Sequence, residues 1–308
     1  MNETAAALAL QGATRRLGGR AVVRGIDLAI HSGEVLGLLG VNGAGKTTTL
    51  RMMAGVLAPD RGSVRLHGAD LREEPERGRA RIGYLPETPP LHAELTAREY
   101  LAFYARLHGV ARGVVATRVE RAIERCDLGD VSRRPLGALS KGYRQRVGIA
   151  QAIVHEPEVV ILDEPASGLD PVQALALRAL VRNLGQSHAV VLSTHVLPDV
   201  AACCDRVAIL HRGELRHVGA VGSADGALRV GVARPLAAAV WNDMPEVAAA
   251  EALDASHWRV RPAAGIAPEQ IAAAIVSHGF GLTELVADTS PLESTFLAIA
   301  AGEAAEAA

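Results

Sequence analysis

The chain has 308 residues, 49% of them hydrophobic, and a formal net charge of −2, so its length fits about two domains with a sizeable buried core. A near-neutral charge excludes an overall positive field of the kind that attracts nucleic acid. The charge is uneven, because residues 222–308 carry 4 Arg against 11 acidic residues; the basic remainder suits an anionic ligand or is simply solvated surface.

The three cysteines, Cys126, Cys203 and Cys204, show no metal-binding spacing and are too few for a disulfide framework. They indicate a reducing compartment, and we expect the cytoplasm. The first residues lack the features of a signal peptide, and no stretch approaches 18 uninterrupted apolar residues. If the protein acts at a membrane, we expect a separate chain to supply the transmembrane segments.

Short strands are predicted over residues 5–30, followed by the apolar run Val35–Leu39. The segment 40–48 then fits the pattern G-x-x-x-x-G-K-[ST], and a strand, a glycine loop and a helix start in that order predict a phosphate cradle. Lys46, one of only two lysines, places a point charge at the β- and γ-phosphates of a nucleoside triphosphate, and Thr47 offers a hydroxyl to Mg²⁺. The predicted nucleotide-binding residues of this loop are Asn42, Gly43, Ala44, Gly45, Lys46, Thr47 and Thr48.

A helix is predicted from Thr47 to Val56, and strands are predicted at residues 63–67 and 82–86. The second of these strands enters a proline-stiffened loop at Glu87. From residue 96 to about residue 126 the pattern turns helical, with Leu101, Tyr104 and Leu107 on one face. Five of the nine aromatic residues lie between positions 84 and 143, either as core or as a groove for a partner.

The segment 139–146 precedes an apolar-periodic helix that runs to residue 153. Ser140 is a good N-cap, which puts Lys141 and free backbone N–H groups at a positive helix end. This arrangement predicts a second anion site, and an ordinary capped helix explains the pattern equally well.

A continuous apolar strand over residues 159–162 ends in Asp163 and Glu164, as expected for a buried parallel strand with chemistry at its carboxyl end. Asp163 can hold Mg²⁺ through water, and Glu164 can polarise the water that attacks the γ-phosphate. Another buried strand at 189–193 leads to His195, which is either structural or a γ-phosphate sensor.

A final hairpin is predicted over residues 206–217, and residues 221–226 have the composition of a linker. Beyond the linker, the pattern predicts a small α+β domain without a catalytic constellation. Its predicted strands cover residues 228–232, 258–261 and 281–286, and its predicted helices cover residues 268–276 and 291–300.

Taken together, these features resemble the nucleotide-binding subunit of an ATP-binding cassette (ABC) transporter over about residues 5–220. The resemblance rests on five motifs in family order: the phosphate loop 40–48, the loop at Glu87, the signature 139–143, the strand and acids 159–164, and the switch His195. It implies an α/β fold, a P-loop NTPase cassette over residues 1–221. This cassette has a RecA-like core, an antiparallel β subdomain and an α-helical subdomain at about 88–157, and residues 222–308 form a small α+β accessory domain.

The resemblance also implies the activity, an ATPase that uses ATP and Mg²⁺ and works as a homodimer of cassettes. Lys46, Glu164 and His195 would be catalytic, and Thr47, Glu87 and Asp163 would bind Mg²⁺. The signature of one protomer would act on the ATP of the other through Ser140, Lys141, Gly142 and Tyr143. The further partner is an integral membrane permease at the cytoplasmic face of the membrane, and no nucleic acid is expected.

Four positions, in three motifs, depart from the family pattern. Lys141 and Tyr143 stand where the signature usually has Gly and Gln, which changes the signature geometry. Glu87 stands where the loop usually has Gln, and its carboxylate can approach Mg²⁺ more strongly than an amide. Leu17 aligns with the aromatic residue that commonly stacks on adenine, so we expect base stacking to be weaker or to come from another residue.

The motif spellings at 84–87 and 139–145, with the short C-terminal domain, are most similar to type-2 exporter ATPases, including gliding-motility-type subunits. This predicts export through a separate permease whose substrate the sequence does not reveal. The alternative is a soluble cassette ATPase that acts on ribosomes or DNA. Such proteins usually carry two cassettes or a long coiled-coil insertion, and the sequence predicts neither, nor a basic aromatic surface of the nucleic-acid kind.

Overall fold

The structure, a computed structural model, describes residues 6–221, 226–234, 237, 240–241, 243–288, 292–293, 295–297 and 299. These residues form two compact units, and the chain passes from the first to the second between Gly219 and Ala220. The division expected from the sequence, between residues 221 and 222, is two residues further along the chain.

The first unit contains ten strands and seven α-helices among its described residues. The strands are β1 (Leu8–Leu17), β2 (Arg20–Ile30), β3 (Val35–Leu39), β4 (Arg61–Leu66), β5 (Ala69–Asp70), β6 (Ile82–Leu85), β7 (Val159–Leu162), β8 (Ala189–Thr194), β9 (Arg206–His211) and β10 (Glu214–Ala220). The helices are α1 (Lys46–Met53), α2 (Pro75–Arg79), α3 (Ala97–Leu107), α4 (Val115–Arg125), α5 (Lys141–Ile153), α6 (Pro171–Gly185) and α7 (Leu197–Cys203).

A four-stranded sheet in the order β2-β1-β4-β5 is built on a long hairpin. β1 and β2 pair antiparallel through Gly18 and Gly19, which both have positive φ, a conformation that glycine adopts at little steric cost. The two strands have 10 and 11 residues, so the short strands expected over residues 5–30 are wrong in length.

A six-stranded sheet in the order β10-β9-β3-β8-β7-β6 carries the parallel strands. β3 pairs in parallel with both β8 and β9, and β7 pairs in parallel with both β6 and β8. Every residue of β3, β7 and β8 is buried, which confirms the buried parallel strands predicted at 159–162 and 189–193. The carboxyl ends of these three neighbouring strands therefore lie side by side.

One hydrophobic core joins the two sheets and α1. It includes Leu10 from β1, Leu36 from β3, Leu50 from α1 and Ile161 from β7, each at most 2% exposed. Burying a side chain of this size contributes about 2 kcal/mol. This packing fixes the start of α1 beside the ends of the parallel strands.

The helical stretch predicted from residue 96 to about 126 is two helices, α3 and α4, with a break over residues 108–114. Thr96 caps α3 in a reciprocal capping box with Glu99. The predicted apolar face is wrong at Leu107, which is 67% exposed, whereas Leu101 is buried. Tyr100, rather than Tyr104, lies fully in the core.

His155, just after α5, stacks its ring on that of His108, with the centroids 3.9 Å apart and the planes at 8°. Burial, together with the nearby His108 and His188, lowers the pKa of His155 from 6.5 to about 4. Between these two values the unfolded chain holds a proton that the folded chain does not. Folding is therefore weakened as the pH falls through this window.

We expect the free energy of unfolding to drop by roughly 2 to 3 kcal/mol through His155 as the pH falls from 6.5 to about 4. Urea unfolding at several pH values checks this. His155→Leu should make the loss of stability on acidification smaller, whereas His92→Leu, at an exposed histidine, should leave it unchanged. The same pH dependence in His155→Leu and the wild type would contradict the prediction.

The second unit contains an antiparallel sheet in the order β12-β13-β11-β14. Its described elements are β11 (Leu228–Val232), β12 (Val247–Ala252), β13 (His257–Pro262), α8 (Pro268–Ser277) and β14 (Leu282–Ala287). Its core is built on Trp241 and Trp258, whose ring centroids are 5.6 Å apart.

Three strands and one helix of the second unit match the predicted ranges closely. Strand β12 was not predicted, because its sequence Val-Ala-Ala-Ala-Glu-Ala has few residues that favour strands. The helix predicted at 291–300 lies partly outside the described residues, as do positions 222–225 of the predicted linker.

Candidate functional site

The loops that follow β3, β6, β7 and β8 line one cleft at the edge of the parallel sheet. Its volume is about 390 Å³, a size typical of a small-ligand site. The lining residues are Val22, Asn42, Gly43, Gly45, Lys46, Thr47, Thr48, Glu87, Glu164, Ser167 and His195. Nine of these are residues that the sequence predicts for the site.

The loop after β3 keeps its shape because two of its glycines have no room for a side chain. A β-carbon on Gly40 would lie 2.5 Å from the carbonyl oxygen of Leu210, and one on Gly45 would lie 2.7 Å from that of Val22. Gly45 also has a φ of +104° and caps α1. The loop thereby turns directly into the N-terminus of α1, where free N–H groups favour an anion.

Lys46, the first residue of α1, is 6% exposed. Its Nζ donates hydrogen bonds to the carbonyl oxygens of Gly40, at 2.7 Å, and Val41, at 3.3 Å. It also lies 3.2 Å from Oε1 of Glu164. The ammonium group is thus held at the floor of the cleft.

Asp163 is completely buried, just beyond the end of β7. Its Oδ1 accepts hydrogen bonds from Thr47 Oγ1 at 3.2 Å and from Ser193 Oγ at 2.7 Å. Among the residues that the structure describes, its Oδ2 has no hydrogen-bond partner. Burial, together with this carboxylate, raises the pKa of Tyr84. A carboxylate with a free oxygen next to a threonine hydroxyl is a donor set that suits a hard divalent cation such as Mg²⁺.

Glu164 bridges the two basic groups of the cleft. Its Oε1 lies near Lys46, and its Oε2 accepts a hydrogen bond from Nδ1 of His195 at 2.9 Å. The residue has a φ of +47°, a conformation that costs about 1 to 2 kcal/mol for a side chain of this kind. Its backbone N–H is held by Ser193 Oγ at 2.9 Å, so the surrounding structure keeps this strained position.

Ser193, Ser167 and Val22 are site residues that sequence reasoning missed as such. Ser193 holds both acids from the neighbouring strand β8, and only the pairing of β7 with β8 brings it there. Val22 lies on β2, far from the motif in sequence. Ser167 lies in the turn after Glu164, and its position close to Glu164 in the sequence could have identified it as a site residue.

Several predicted residues do not line this cleft. Leu17, at the end of β1, is 43% exposed and is not among the lining residues. Ala44 is buried, and its N–H donates to the carbonyl of Val41 at 3.2 Å. Asp163 lies beneath the cleft and reaches it through Thr47.

The signature residues lie at the start of α5. Ser140 caps the helix, as predicted, by accepting a hydrogen bond from the N–H of Tyr143 at 3.4 Å. Neither these two residues nor Lys141 and Gly142 line this cleft of their own chain. Within one chain, the structure therefore brings the phosphate loop, Glu87, the two acids and His195 together and leaves the signature apart.

Among the described residues, no helix combines the length and the apolar character needed to cross a lipid bilayer. A family profile described as ABC transporter matches residues 23–167. The chain is 40% identical over 204 residues to the ABC transporter ATP-binding protein NatA of Bacillus subtilis (strain 168), a match that covers 65% of this chain and 82% of NatA. It is 38% identical over 204 residues to the bacitracin transport ATP-binding protein BcrA of Enterococcus faecalis, covering 66% of this chain and 65% of BcrA.

Solved structures give the same picture of the fold. An ATP-binding subunit of an ABC transporter superposes with a TM-score of 0.63 at 32% identity, covering 70% of this chain and 90% of the other. CbiO1 from Clostridium perfringens, part of the ABC transporter complex cbiONQ, superposes with a TM-score of 0.64 at 27% identity, covering 70% and 88% of the two chains. These similarities confirm the predicted α/β cassette fold.

Proposed function

The chain belongs to the ATP-binding proteins of ABC transporters and is an ATPase of that family, and from this premise we propose that it powers export through a separate permease chain at the cytoplasmic face of a membrane. The observation that carries the hydrolytic part of the proposal is the arrangement of Lys46, Glu164 and His195 around one cleft at the strand ends. It joins a phosphate-binding cation, a carboxylate and an imidazole within contact distance. This is the set that hydrolysis of a terminal phosphate requires.

In this proposal the γ-phosphate of ATP contacts Nζ of Lys46. The phosphate replaces part of the contact that Lys46 makes with Glu164 when no nucleotide is bound. The Glu164 carboxylate then accepts a proton from the attacking water. Nδ1 of His195 contacts Glu164, and Nε2 makes no hydrogen bond to any described residue, so in this proposal Nε2 contacts the terminal phosphate. His195 also fixes the direction of the carboxylate.

Thr47 and Asp163 are the residues that would hold Mg²⁺, with Glu87 as a further candidate from the same cleft. The unpartnered Oδ2 of Asp163 supports the assignment, because a buried carboxylate oxygen without a hydrogen bond is costly unless a cation is nearby. When bound, the ion neutralises phosphate charge that develops during hydrolysis.

We further propose that two copies of the chain pair and that Ser140 and Gly142 of one copy complete the site of the other. Two observations support this pairing. The free N–H groups at the start of α5 suit an anion, yet Ser140 and Gly142 do not line the cleft of their own chain.

Replacing His195 with Ala should lower kcat roughly tenfold to a hundredfold with little change in ATP affinity. The imidazole contacts only the terminal phosphate in this proposal, so its contribution appears mainly in the transition state. Steady-state kinetics together with equilibrium binding of a fluorescent ATP analogue measure the two quantities separately. A large loss of affinity with normal turnover of bound ATP would contradict the assigned role.

Replacing Glu87 with Gln should raise the Mg²⁺ concentration at which ATPase activity is half-maximal. The change removes a negative charge from the cleft and preserves the size of the side chain. A Mg²⁺ titration with and without the permease in membranes checks it. Superimposable curves in both settings would retire the metal role, and so would a change seen only with the permease.

The transport function is tested by purifying the tagged chain from native membranes and identifying what accompanies it. The expected companion is a multi-span membrane protein whose presence raises the ATPase rate. Recovery of rRNA or DNA at a fixed ratio to the chain, without a membrane protein, would contradict the proposal and support the soluble alternative.

A further inference from the structure

Lys141, at the first position of α5, lies against a glycine of its own chain. A β-carbon built on Gly168 would be 2.3 Å from Nζ of Lys141 and 3.5 Å from its Cε. The end of the lysine side chain therefore fills the space that a side chain at position 168 would occupy. Among the described residues, no carboxylate pairs with this ammonium group.

Gly168 belongs to the short turn that connects Glu164 to α6. The N–H of Ser167 donates to the carbonyl of Glu164 at 3.1 Å, and the N–H of Leu169 donates to that of Ala166 at 3.2 Å. Gly168 itself has a φ of +65°. Because the turn begins at Glu164, a shift of the turn changes where that carboxylate lies.

Ser167 connects the turn to two clefts. It lines the phosphate cleft with Lys46 and Glu164, and it also lines a second cleft of about 370 Å³ with Lys141. The next residue, Gly142, is also in close contact with a neighbouring element, since a β-carbon on Gly142 would lie 2.5 Å from Oε1 of Gln173 on α6. Two successive residues of α5 thus rest on the turn and on the helix that follows it.

We propose that Lys141 is a positioning residue that holds the Ser167–Gly168 turn within its own chain and thereby places Glu164 at the phosphate cleft. The proposal rests on the proposed function, because the reaction that is positioned is the one assigned to Glu164. It differs from the role expected from the family resemblance, in which the signature acts on the ATP of the partner. Lys141 is an exposed residue, so a glycine or alanine at this position would let water replace the contact over Gly168 and leave the turn less restrained.

Mixed dimers separate the two roles. The reference dimer pairs a Glu164→Gln chain with a wild-type chain, so that only the wild-type chain has a working carboxylate. In the first test dimer, Lys141→Ala is added to the Glu164→Gln chain, which removes the lysine only from the partner's signature. In the second test dimer, Lys141→Ala is placed in the other chain, beside the working Glu164. Two different affinity tags allow each mixed dimer to be isolated.

We expect the first test dimer to match the reference and the second to lose roughly tenfold in kcat with an unchanged KM, because misplacement of a reacting group acts on the chemical step. Lys141→Arg in the second dimer should restore part of the loss. Loss in the first dimer, equal loss in both, or loss in neither would overturn the proposal. Substantial hydrolysis by a dimer with Glu164→Gln in both chains would instead overturn the proposed role of Glu164.

Hydrogen exchange of the nucleotide-free wild-type chain and its variants gives a readout that does not depend on ATP hydrolysis or pairing. Lys141→Ala should speed exchange at the amides of Ser167 and Leu169, whose hydrogen bonds close the turn. Arg106→Ala is the matched control, since it removes an exposed cation at the end of α3 that lines neither cleft. Unchanged exchange at both amides in Lys141→Ala would overturn the proposal even if the chain is fully folded.

Discussion

Replacing Glu164 with Gln is expected to lower ATP turnover roughly a thousandfold while ATP remains bound. The amide has the shape of the carboxylate and can still contact Lys46 and His195, but it cannot accept a proton from water. In the proposed dimer, ATP that is bound and not hydrolysed keeps the two copies together. Light scattering after addition of ATP and Mg²⁺ should therefore show a dimer that persists.

Glu158→Gln is the matched control for this experiment. Glu158 lies just before β7, and its carboxylate pairs with Arg81 and His67 rather than with any residue of the cleft. We expect this variant to turn over ATP at close to the wild-type rate, because an exposed ion pair contributes little. Near-normal turnover in Glu164→Gln would rule out Glu164 as the base.

The sequence predicts the glycine loop between β3 and α1 well because the motif is contained in nine consecutive residues. Backbone contacts constrain three positions of this loop, Gly40, Gly45 and Lys46. Each contact requires a particular residue type, and that residue type can be recognised in the sequence. The same holds for Asp163 and Glu164, which follow a fully buried strand directly. Local chemistry and local structure point to the same assignment at these positions.

Residues that join the site through strand order are harder to predict. Ser193 acts on Asp163 and Glu164 only because β8 is the neighbour of β7, and neither strand's sequence specifies that order. The face of α3 was mispredicted at Leu107 for a related reason, since a helical period identifies a stripe but not where the stripe ends. The contact of Lys141 with Gly168 likewise depends on the packing of α5 beside α6.

Replacing Lys46 with Ala is expected to weaken ATP binding roughly a hundredfold, or about 3 kcal/mol, and to abolish measurable hydrolysis. Removing the ammonium leaves the phosphate charge uncompensated at the floor of the cleft, where little water reaches it. Lys46→Arg should not restore binding, because the planar guanidinium does not fit a site closed by the carbonyls of Gly40 and Val41. Calorimetric titration with ATP measures the affinity of each variant.

Lys46→Ala also leaves the Glu164 carboxylate, which is 11% exposed, without its 3.2 Å partner. The nucleotide-free variant should therefore unfold more easily, because a nearly buried charge has lost one of its two partners and keeps only His195. Adding Glu164→Gln should restore the free energy of unfolding without restoring ATP affinity, since the amide needs no cation but the phosphates still do. Recovery of ATP affinity in the double variant would show that Lys46 serves to hold Glu164 rather than the nucleotide, and the phosphate role assigned to Lys46 would then be wrong.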